Sequence, residues 1–188
     1  MKQVSQFEQL ESLGLDGTNI GDGSAEHLAQ LTNLTHLWLS KTKVTDKTFA
    51  RVATLKKLQR LYLEESHVNG PGIADLQQLP ALSYLSLKRV KLDAASMQQI
   101  AKLTNLTILG LEETGVDDQM VQGLTGLRNL KTLWLSKTTV GNEGLLSLVD
   151  LPKLRTVFLH GAKVTEAGEK QFSKQRLKIK ATRCTIHR

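Results

Sequence analysis

The sequence predicts an α/β solenoid, a right-handed horseshoe with a parallel β-sheet on its concave face and short helices on its convex face. Three observations carry this. Leucine recurs at positions 10, 34, 58, 82, 106, 130 and 154, always 24 residues apart, and self-similarity at a fixed period marks a stacked-repeat architecture. From each of these leucines the pattern L-x-x-L-x-L-x-x-T-x-V runs on, and its L-x-L alternation is that of a strand with one buried face. A capping residue then precedes apolar residues at helical spacing and a closing L-x-x-L, which reads as a short helix and a turn.

The elements follow in order. Val4, Phe7 and Leu10 share the spacing of Leu28, Leu31 and Leu34, so residues 1–9 read as a half-repeat entered midway. Seven 24-residue repeats occupy about 10–176; the second is LTHLWLSKTKVTDKTFARVATLKK and the sixth LKTLWLSKTTVGNEGLLSLVDLPK. The ninth positions are Thr18, Thr42, Ser66, Val90, Thr114, Thr138 and Ala162. Their hydroxyls predict a ladder to the backbone of the neighbouring turn, with local irregularity at Val90 and Ala162. The twelfth positions, Gly21, Thr45, Asn69, Asp93, Asp117, Gly141 and Thr165, suit the start of a helix, where a side-chain oxygen accepts from an orphan N–H. Helices with apolar residues such as Phe49, Val52 and Leu55 follow. One unit cannot bury its own apolar face, so the units stack with strands about 4.8 Å apart. A C-terminal partial repeat, 176–188, predicts an eighth strand with Ile179, Ala181, Cys184 and Ile186 at the fourth, sixth, ninth and eleventh positions. The whole, 1–188, reads as one domain whose ends are either polar caps or the open faces of a longer array.

These motifs make the chain resemble the leucine-rich repeat superfamily over nearly all its length. Repeat length and helical outer side are similar to bacterial 24-residue repeats of the T-x-V-T-D-x-G-L type, common in planctomycete-like proteins. In the first repeat, Ile20-Gly21-Asp22 followed by Ala25 and Leu28-Ala29 resembles the GALA-type repeats of plant-pathogen effectors. Those effectors carry an F-box; nothing in this sequence resembles one, and their ubiquitin-ligase role is not implied. The resemblance implies a binding module and leaves its ligand open.

Composition excludes other classes. Hydrophobic residues make up 40% and charged residues 23%, a globular balance. No apolar run approaches the roughly 18–20 residues of a membrane span. A single cysteine, Cys184, rules out a disulfide framework and a cysteine-based zinc site; it reads as a small buried residue rather than a reactive thiol. The net charge of +7 is local: residues 169–188 hold seven Lys/Arg and one acid, the rest 18 bases and 17 acids.

On the concave side the fifth positions are Gly14, Trp38, Tyr62, Ser86, Gly110, Trp134, Phe158 and Lys180, and the third are Ser12, His36, Arg60, Tyr84, Ile108, Thr132, Thr156 and Lys178. Five of the protein's eight aromatics, Trp38, Tyr62, Tyr84, Trp134 and Phe158, fall here. Trp, Tyr and Arg dominate binding hot spots, although aromatics also suit strands and cover one another. A longer four-repeat period is visible in WLSKT of repeats two and six. It predicts two patches, Trp38/Tyr62 and Trp134/Phe158, roughly 20 Å apart, with a trough at Ser86 and Gly110 between them. At positions seven and eight, Glu64-Glu65, Lys88-Arg89, Glu112-Glu113 and Ser136-Lys137 alternate in sign, which predicts cross-strand ion pairs.

Catalytic chemistry finds no motif: there is no HExxH, G-x-S-x-G, P-loop or strand-linked GxGxxG. The five histidines fall at unrelated repeat positions. Glu64 and Glu112 come no nearer than about 10 Å across two strands, with Lys88 between them. Asn33 and Asn105 match glycosylation sequons but belong to the repeat's own T-N-L-T segment. The expectation is a protein without enzymatic activity, cofactor or metal.

The first functional expectation is therefore a recognition or scaffold module that binds another protein or a peptide through His36, Trp38, Arg60, Tyr62, Tyr84, Lys88, Arg89, Trp134 and Phe158. The alternative is a polyanion site, nucleic acid or acidic glycan, on Lys178, Lys180, Arg183 and Arg188 with the rim residues Lys41, Lys43, Arg89, Lys91 and Lys163. A third is a structural segment that self-associates through its ends. The absence of an apolar leader and of disulfides favours a cytoplasmic over a secreted home.

Overall fold

The computed structural model describes residues 3–68, 70–179 and 183–188. Eight strands form one parallel sheet in chain order: β1 (Ser12–Gly14), β2 (His36–Trp38), β3 (Arg60–Tyr62), β4 (Tyr84–Ser86), β5 (Ile108–Gly110), β6 (Thr132–Trp134), β7 (Thr156–Phe158) and β8 (Thr185–His187). Leu37, Leu61, Leu85, Leu109, Leu133 and Val157 pair in line and are fully buried. Side chains alternate along a strand, so the residues flanking each of these lie on the opposite, concave face. The ladder continues past each strand: Lys41 N donates to Glu64 O at 2.7 Å, Arg89 N to Glu112 O at 2.9 Å and Lys137 N to His160 O at 2.7 Å. Positions seven and eight are thereby stacked as regularly as the strands.

That stacking needs a left-handed residue at each eighth position: Gly17 (φ 67°), Lys41 (55°), Glu65 (54°), Arg89 (58°), Glu113 (57°), Lys137 (56°) and Gly161 (71°). Five of the seven carry a side chain, which is strained there and persists because bonded neighbours over-determine the turn. The ninth-position hydroxyls differ from expectation. Thr18, Thr42, Thr114 and Thr138 donate to the carbonyl three residues back, at 2.6, 2.6, 2.7 and 2.7 Å. Each closes its own turn, because that carbonyl is nearer to a short side chain than the next repeat is. Ser66 Oγ is buried without a partner. Val90 and Ala162 show no irregularity: their amides bond Leu87 O at 3.0 Å and Leu159 O at 2.9 Å, so the backbone makes the turn with or without a hydroxyl.

Across the core lie α1 (Ala25–Ala29), α2 (Phe49–Val52), α3 (Ala94–Ile100), α4 (Asp118–Gln122), α5 (Asn142–Ser147) and α6 (Glu166–Lys178). The third repeat has instead a 3-10 helix, Pro71–Gln78, with proline in its first turn. A Cβ at Gly72 would stand 2.5 Å from Asp46 Cβ and 2.7 Å from Asp46 O, so only glycine allows this close approach. The core runs unbroken from Leu28 to Phe172. At the N-terminal half-repeat, Phe7 N bonds Val4 O at 3.1 Å and Leu10 N bonds Phe7 O at 2.9 Å, matching Leu31 to Leu28 and Leu34 to Leu31, both at 3.0 Å. Leu31 is fully buried between repeats, whereas Phe7 is 64% exposed. The sequon asparagines serve the fold: Asn33 Nδ2 donates to Glu8 O at 2.8 Å and Asn105 Nδ2 to Pro80 O at 3.0 Å.

The predicted caps form at Thr45, Asp93, Asp117 and Thr165, which accept from Lys47, Ser96, Met120 and Gly168 amides. Asn69 lies outside the described residues. A second set, between repeats, was not foreseen. Asp22 accepts from Thr45 N at 2.8 Å and from the hydroxyls of Thr45 and Thr48 at 2.7 Å each. Asp118 accepts from Gly141 N at 2.6 Å, and Asn142 from Thr165 N at 2.9 Å. Each carboxylate or amide thus serves the helix start of the following repeat. Burial pushes the Asp22 pKa up, but the Thr45 amide, the two hydroxyls and the charge of Lys47 together outweigh it and hold the carboxyl below 3.8. A depressed carboxylate stabilises the fold above its unfolded pKa, and that stability is lost as pH falls through the folded value. Asp22→Ala is therefore expected to cost about 1 kcal/mol at pH 7, with the gap to wild type closing below pH 3.8. Urea titrations across pH 2–7 check both; a pH-independent gap contradicts the carboxylate's role.

The C-terminus departs from the predicted register. β8 pairs with β7 through Thr185↔Thr156, Ile186↔Val157 and His187↔Phe158, so Ile186, not Ile179, takes the fourth position. Ile179 caps α6 and is 50% exposed. Cys184 precedes the strand, half-buried, away from the ninth position. Ala181 and Lys180 lie outside the described residues. The reason is local. Gln175 and Lys178 stand where the closing L-x-x-L would be, no glycine or proline follows Gly168 in this stretch, and α6 runs on for 13 residues. This carries Arg176 into the interior, 3% exposed, where its guanidinium donates to Val149 O (2.8 Å), Leu151 O (3.0 Å) and Leu154 O (3.0 Å).

Candidate functional site

The concave face carries a continuous file of rings. Trp38 stacks on His36 at 5.7 Å and on Tyr62 at 5.2 Å, with interplanar angles of 19° and 11°. Tyr62 meets Tyr84 at 4.6 Å, Tyr84 meets Trp134 edge-on at 5.9 Å, and Trp134 meets Phe158 at 5.9 Å. The file ends with His187 stacked on Phe158 at 4.6 Å. The rings are half-buried, largely by one another, and His187 is exposed.

This corrects the two-patch expectation. Tyr84 is a third-position residue of β4, and it reaches across β5 to Trp134. The trough is filled: Ser86 is 3% exposed. A Cβ on Gly110 would lie 3.0 Å from Glu112 Oε2, 3.2 Å from Trp134 and 3.3 Å from Ser86 Oγ. Glycine at 110 lets the indole of Trp134 lie over the strand. His187 was missed because only the true register of β8 puts it beside Phe158.

Charges divide into two sets. Along the eighth positions Arg89 bridges Glu65 (2.9 Å) and Glu113 (2.9 Å), and Lys41 and Lys137 complete the ladder at 3.7 and 3.6 Å. Hydrogen bonds from Arg89 hold the Glu113 carboxyl below its ordinary value. Arg89, proposed from sequence as a partner contact, is thus spent within the rim, and Lys88 Nζ approaches Glu113 at 3.8 Å. Arg60 lies over the Tyr84 ring at 5.9 Å. The second set is Glu64 and Glu112, on the concave side. Glu64 accepts from Ser86 Oγ at 3.0 Å. Glu112 Oε2 is buried with no hydrogen-bond partner. Burial pushes the Glu112 carboxyl above its ordinary pKa, a bond to its own amide and the charge of Lys88 oppose this, and Glu64 and Glu113 add to it. Burial also raises the Tyr84 phenol, helped by Tyr62, Glu64 and Glu112.

The basic patch does not form a strand. Lys178 ends α6 and Arg183 lies ahead of β8; Lys180 is outside the described residues. Arg188 pairs with Glu169 and Lys170 with Glu166. Burial raises the Cys184 thiol to about 11, against a smaller opposing pull from Arg176, so the thiolate nucleophile is scarce at neutral pH. Among the described residues no three His, Cys, Asp or Glu side chains converge to hold a metal, and no helix is long and apolar enough to cross a membrane.

A parallel sheet built one strand per repeat and backed by short helices defines a repeat solenoid. The family model for the leucine-rich repeat region matches residues 1–181, and the chain belongs to the leucine-rich repeat proteins. Such proteins are generally non-enzymatic and commonly mediate protein–protein interaction. The fold is similar to that of an internalin, inlF, from Listeria monocytogenes: 23% identity, TM-score 0.73, covering 98% of this chain and 49% of that one. It is also similar to a leucine-rich repeat protein of Leptospira interrogans (19%, TM-score 0.65, covering 100% and 51%). A plant peptide hormone receptor, RGFR1, in complex with RGF2, matches at 17% identity and TM-score 0.56, over 86% of this chain and 26% of that one. At these identities the likeness is one of fold. The chain spans about half the length of the Listeria and Leptospira proteins. By sequence, no curated protein matches it.

Proposed function

We propose that this protein is a non-enzymatic recognition module that binds another protein, or a peptide segment, along its concave sheet. The observation that carries this is the unbroken file of seven rings, His36 to His187, on one face of a regular sheet. Rigid aromatics supply contact area at low entropic cost, and they dominate interface energetics. Arg60, and Lys88 by exchanging its contact with Glu113, supply polar contacts beside the rings. The polyanion alternative is weakened by the helical end of the basic segment and by the pairing of Lys41 and Arg89 with glutamates.

The test is retention of a partner from source-organism extract by wild type and by the Trp38→Ala/Trp134→Ala double variant. Circular dichroism first confirms that the variant is folded. The variant is expected to lose the partner, since hot-spot aromatics contribute about 2–4 kcal/mol each. Equal retention removes the concave face as the site.

A further inference from the structure

The body of the solenoid covers its large apolar side chains, and the two ends do not. Among the described residues the exposed ones are Phe7, Leu177 and Ile179, all at the ends. Phe7 holds the position that Leu31, Leu55 and Leu127 fill fully buried between repeats. Leu177, 76% exposed, lines a groove with Cys184 and Ile186 between α6 and β8. The inward ladder ends in the same way. Its rungs from Leu37 to Val157 are fully buried, whereas Leu13 of β1 and Ile186 of β8 are only half-buried. β1 and β8 each have one strand neighbour, and a free strand edge is a template for another strand.

Charge tells the two ends apart. The residue before each strand runs from Glu11 through Thr35, Gln59, Ser83 and Thr107 to Lys131 and Arg155, stacked by backbone bonds of 2.8–2.9 Å. This edge of the sheet is acidic at the first repeat, neutral in the middle and basic at the last. Glu8 adds to the acidic end and Arg183 to the basic end, and both are exposed. None of Glu8, Glu11, Lys131, Arg155 and Arg183 forms an ion pair among the described residues. Lys131 and Arg155 are like charges on adjacent rungs, which is unfavourable by itself. On the opposite edge the fold interleaves its charges, with Arg89 between Glu65 and Glu113. Here the balancing acids lie at the far end of the chain.

We propose that copies of this chain associate head to tail: the β1 end of one, with Phe7, Glu8 and Glu11, docks on the β8 end of the next, with Leu177, Arg155 and Arg183. Ser12 and Thr185 hold the same register position, opposite His36 and Thr156, so stacking at the repeat's own spacing sets β1 parallel to β8. Glu11 then extends the file that Lys131 and Arg155 close, and Phe7 falls on the helical side, against α6 and its Leu177. The other two pairings are disfavoured. Head to head sets Glu8 and Glu11 against themselves, and tail to tail does the same for Arg155 and Arg183. A head-to-tail contact is heterologous, so it grows open chains, or rings where the rotation closes. It leaves the concave face free and does not rest on that face being a binding surface.

Sedimentation velocity of the whole chain, from micromolar to millimolar concentration, is the test. The wild-type sedimentation coefficient is expected to rise with concentration. Phe7→Asp and Leu177→Asp change exposed side chains; each is checked for folding by circular dichroism, and each is expected to stay monomeric. Mixed in equal amounts, the two are expected to form dimers and stop there, because one keeps a sound tail and the other a sound head. Glu8→Lys/Glu11→Lys is expected to weaken association by about tenfold or more. Trp38→Ala/Trp134→Ala is expected to assemble as wild type does. A wild type that stays monomeric throughout overturns the proposal, as does undiminished association in the lysine pair. Loss of association in Phe7→Asp alone would mean a head-to-head pair, and in Leu177→Asp alone a tail-to-tail pair; either overturns it. So does association that the tryptophan variant abolishes, which would put the contact on the concave face.

Discussion

Arg176→Ala is expected to destabilise the protein by about 3 kcal/mol, visible as a lower urea midpoint. Arg176 is 3% exposed and donates to three carbonyls, those of Val149, Leu151 and Leu154. In the body of the stack, each turn is closed by bonds to the next repeat; Asn105 to Pro80 O and Thr107 to Ser83 O are examples. In the seventh repeat α6 runs through the positions of that turn, and its guanidinium bonds these carbonyls instead. Removing it takes the guanidinium donor from Val149 O and Leu154 O, while Leu151 O keeps the Leu154 amide at 3.3 Å, and opens a void beside Phe172, over whose ring the guanidinium lies at 5.6 Å. Burial lowers the pKa of Arg176, with the charges of Cys184 and Asp150 opposing. Arg176→Lys is expected to recover only part of the loss, because an ammonium cannot reproduce the planar fork. An unchanged midpoint for Arg176→Ala would mean that the carbonyls find water freely and that α6 is not a cap.

The second large effect is expected at Gly110→Leu, at about 1–3 kcal/mol from overpacking and with a direct consequence for recognition. The first added carbon already meets Glu112, Trp134 and Ser86 at 3.0–3.3 Å. The remainder of a leucine has to push the indole off the strand. That severs the Tyr84–Trp134 contact of 5.9 Å and splits the file into the two patches the primary sequence suggests. Tryptophan emission is expected to shift to longer wavelength as Trp134 gains water, and retention of a protein partner by the concave face to fall. Unchanged emission at unchanged stability would show that Trp134 does not depend on the gap at Gly110.

How far the site could be read beforehand follows from particular residues. Trp38, Tyr62, Tyr84, Trp134 and Phe158 were assignable to the concave face because strand alternation is strict and the 24-residue period fixes which residue sits beside which. The reach of a side chain across a strand is not periodic. That Tyr84 spans β5 depends on Gly110 having no side chain and on rotamers chosen by packing. The rim ladder was foreseeable in sign, but not that Arg89 would be consumed by it while Glu64 and Glu112 make no ion pair among the described residues. His187 and Arg176 stayed hidden for one reason: both follow the point at which the closing L-x-x-L disappears, and beyond it counting by 24 assigns the wrong residues.

The amino-acid sequence by itself determined the repeat, the inward leucines, the strand faces and most helix caps. These are short-range properties, repeated seven times, and each copy corroborates the others. Tertiary structure alone decided the end of the solenoid and the interior of the site. Where α6 stops and which residues add β8 depend on a single buried guanidinium finding carbonyls 22 to 27 residues away. Whether aromatic residues become patches or a track depends on the space left by one glycine. Contacts of this kind occur once in the chain, so no periodicity announces them, and only the packed three-dimensional neighbourhood sets their energy.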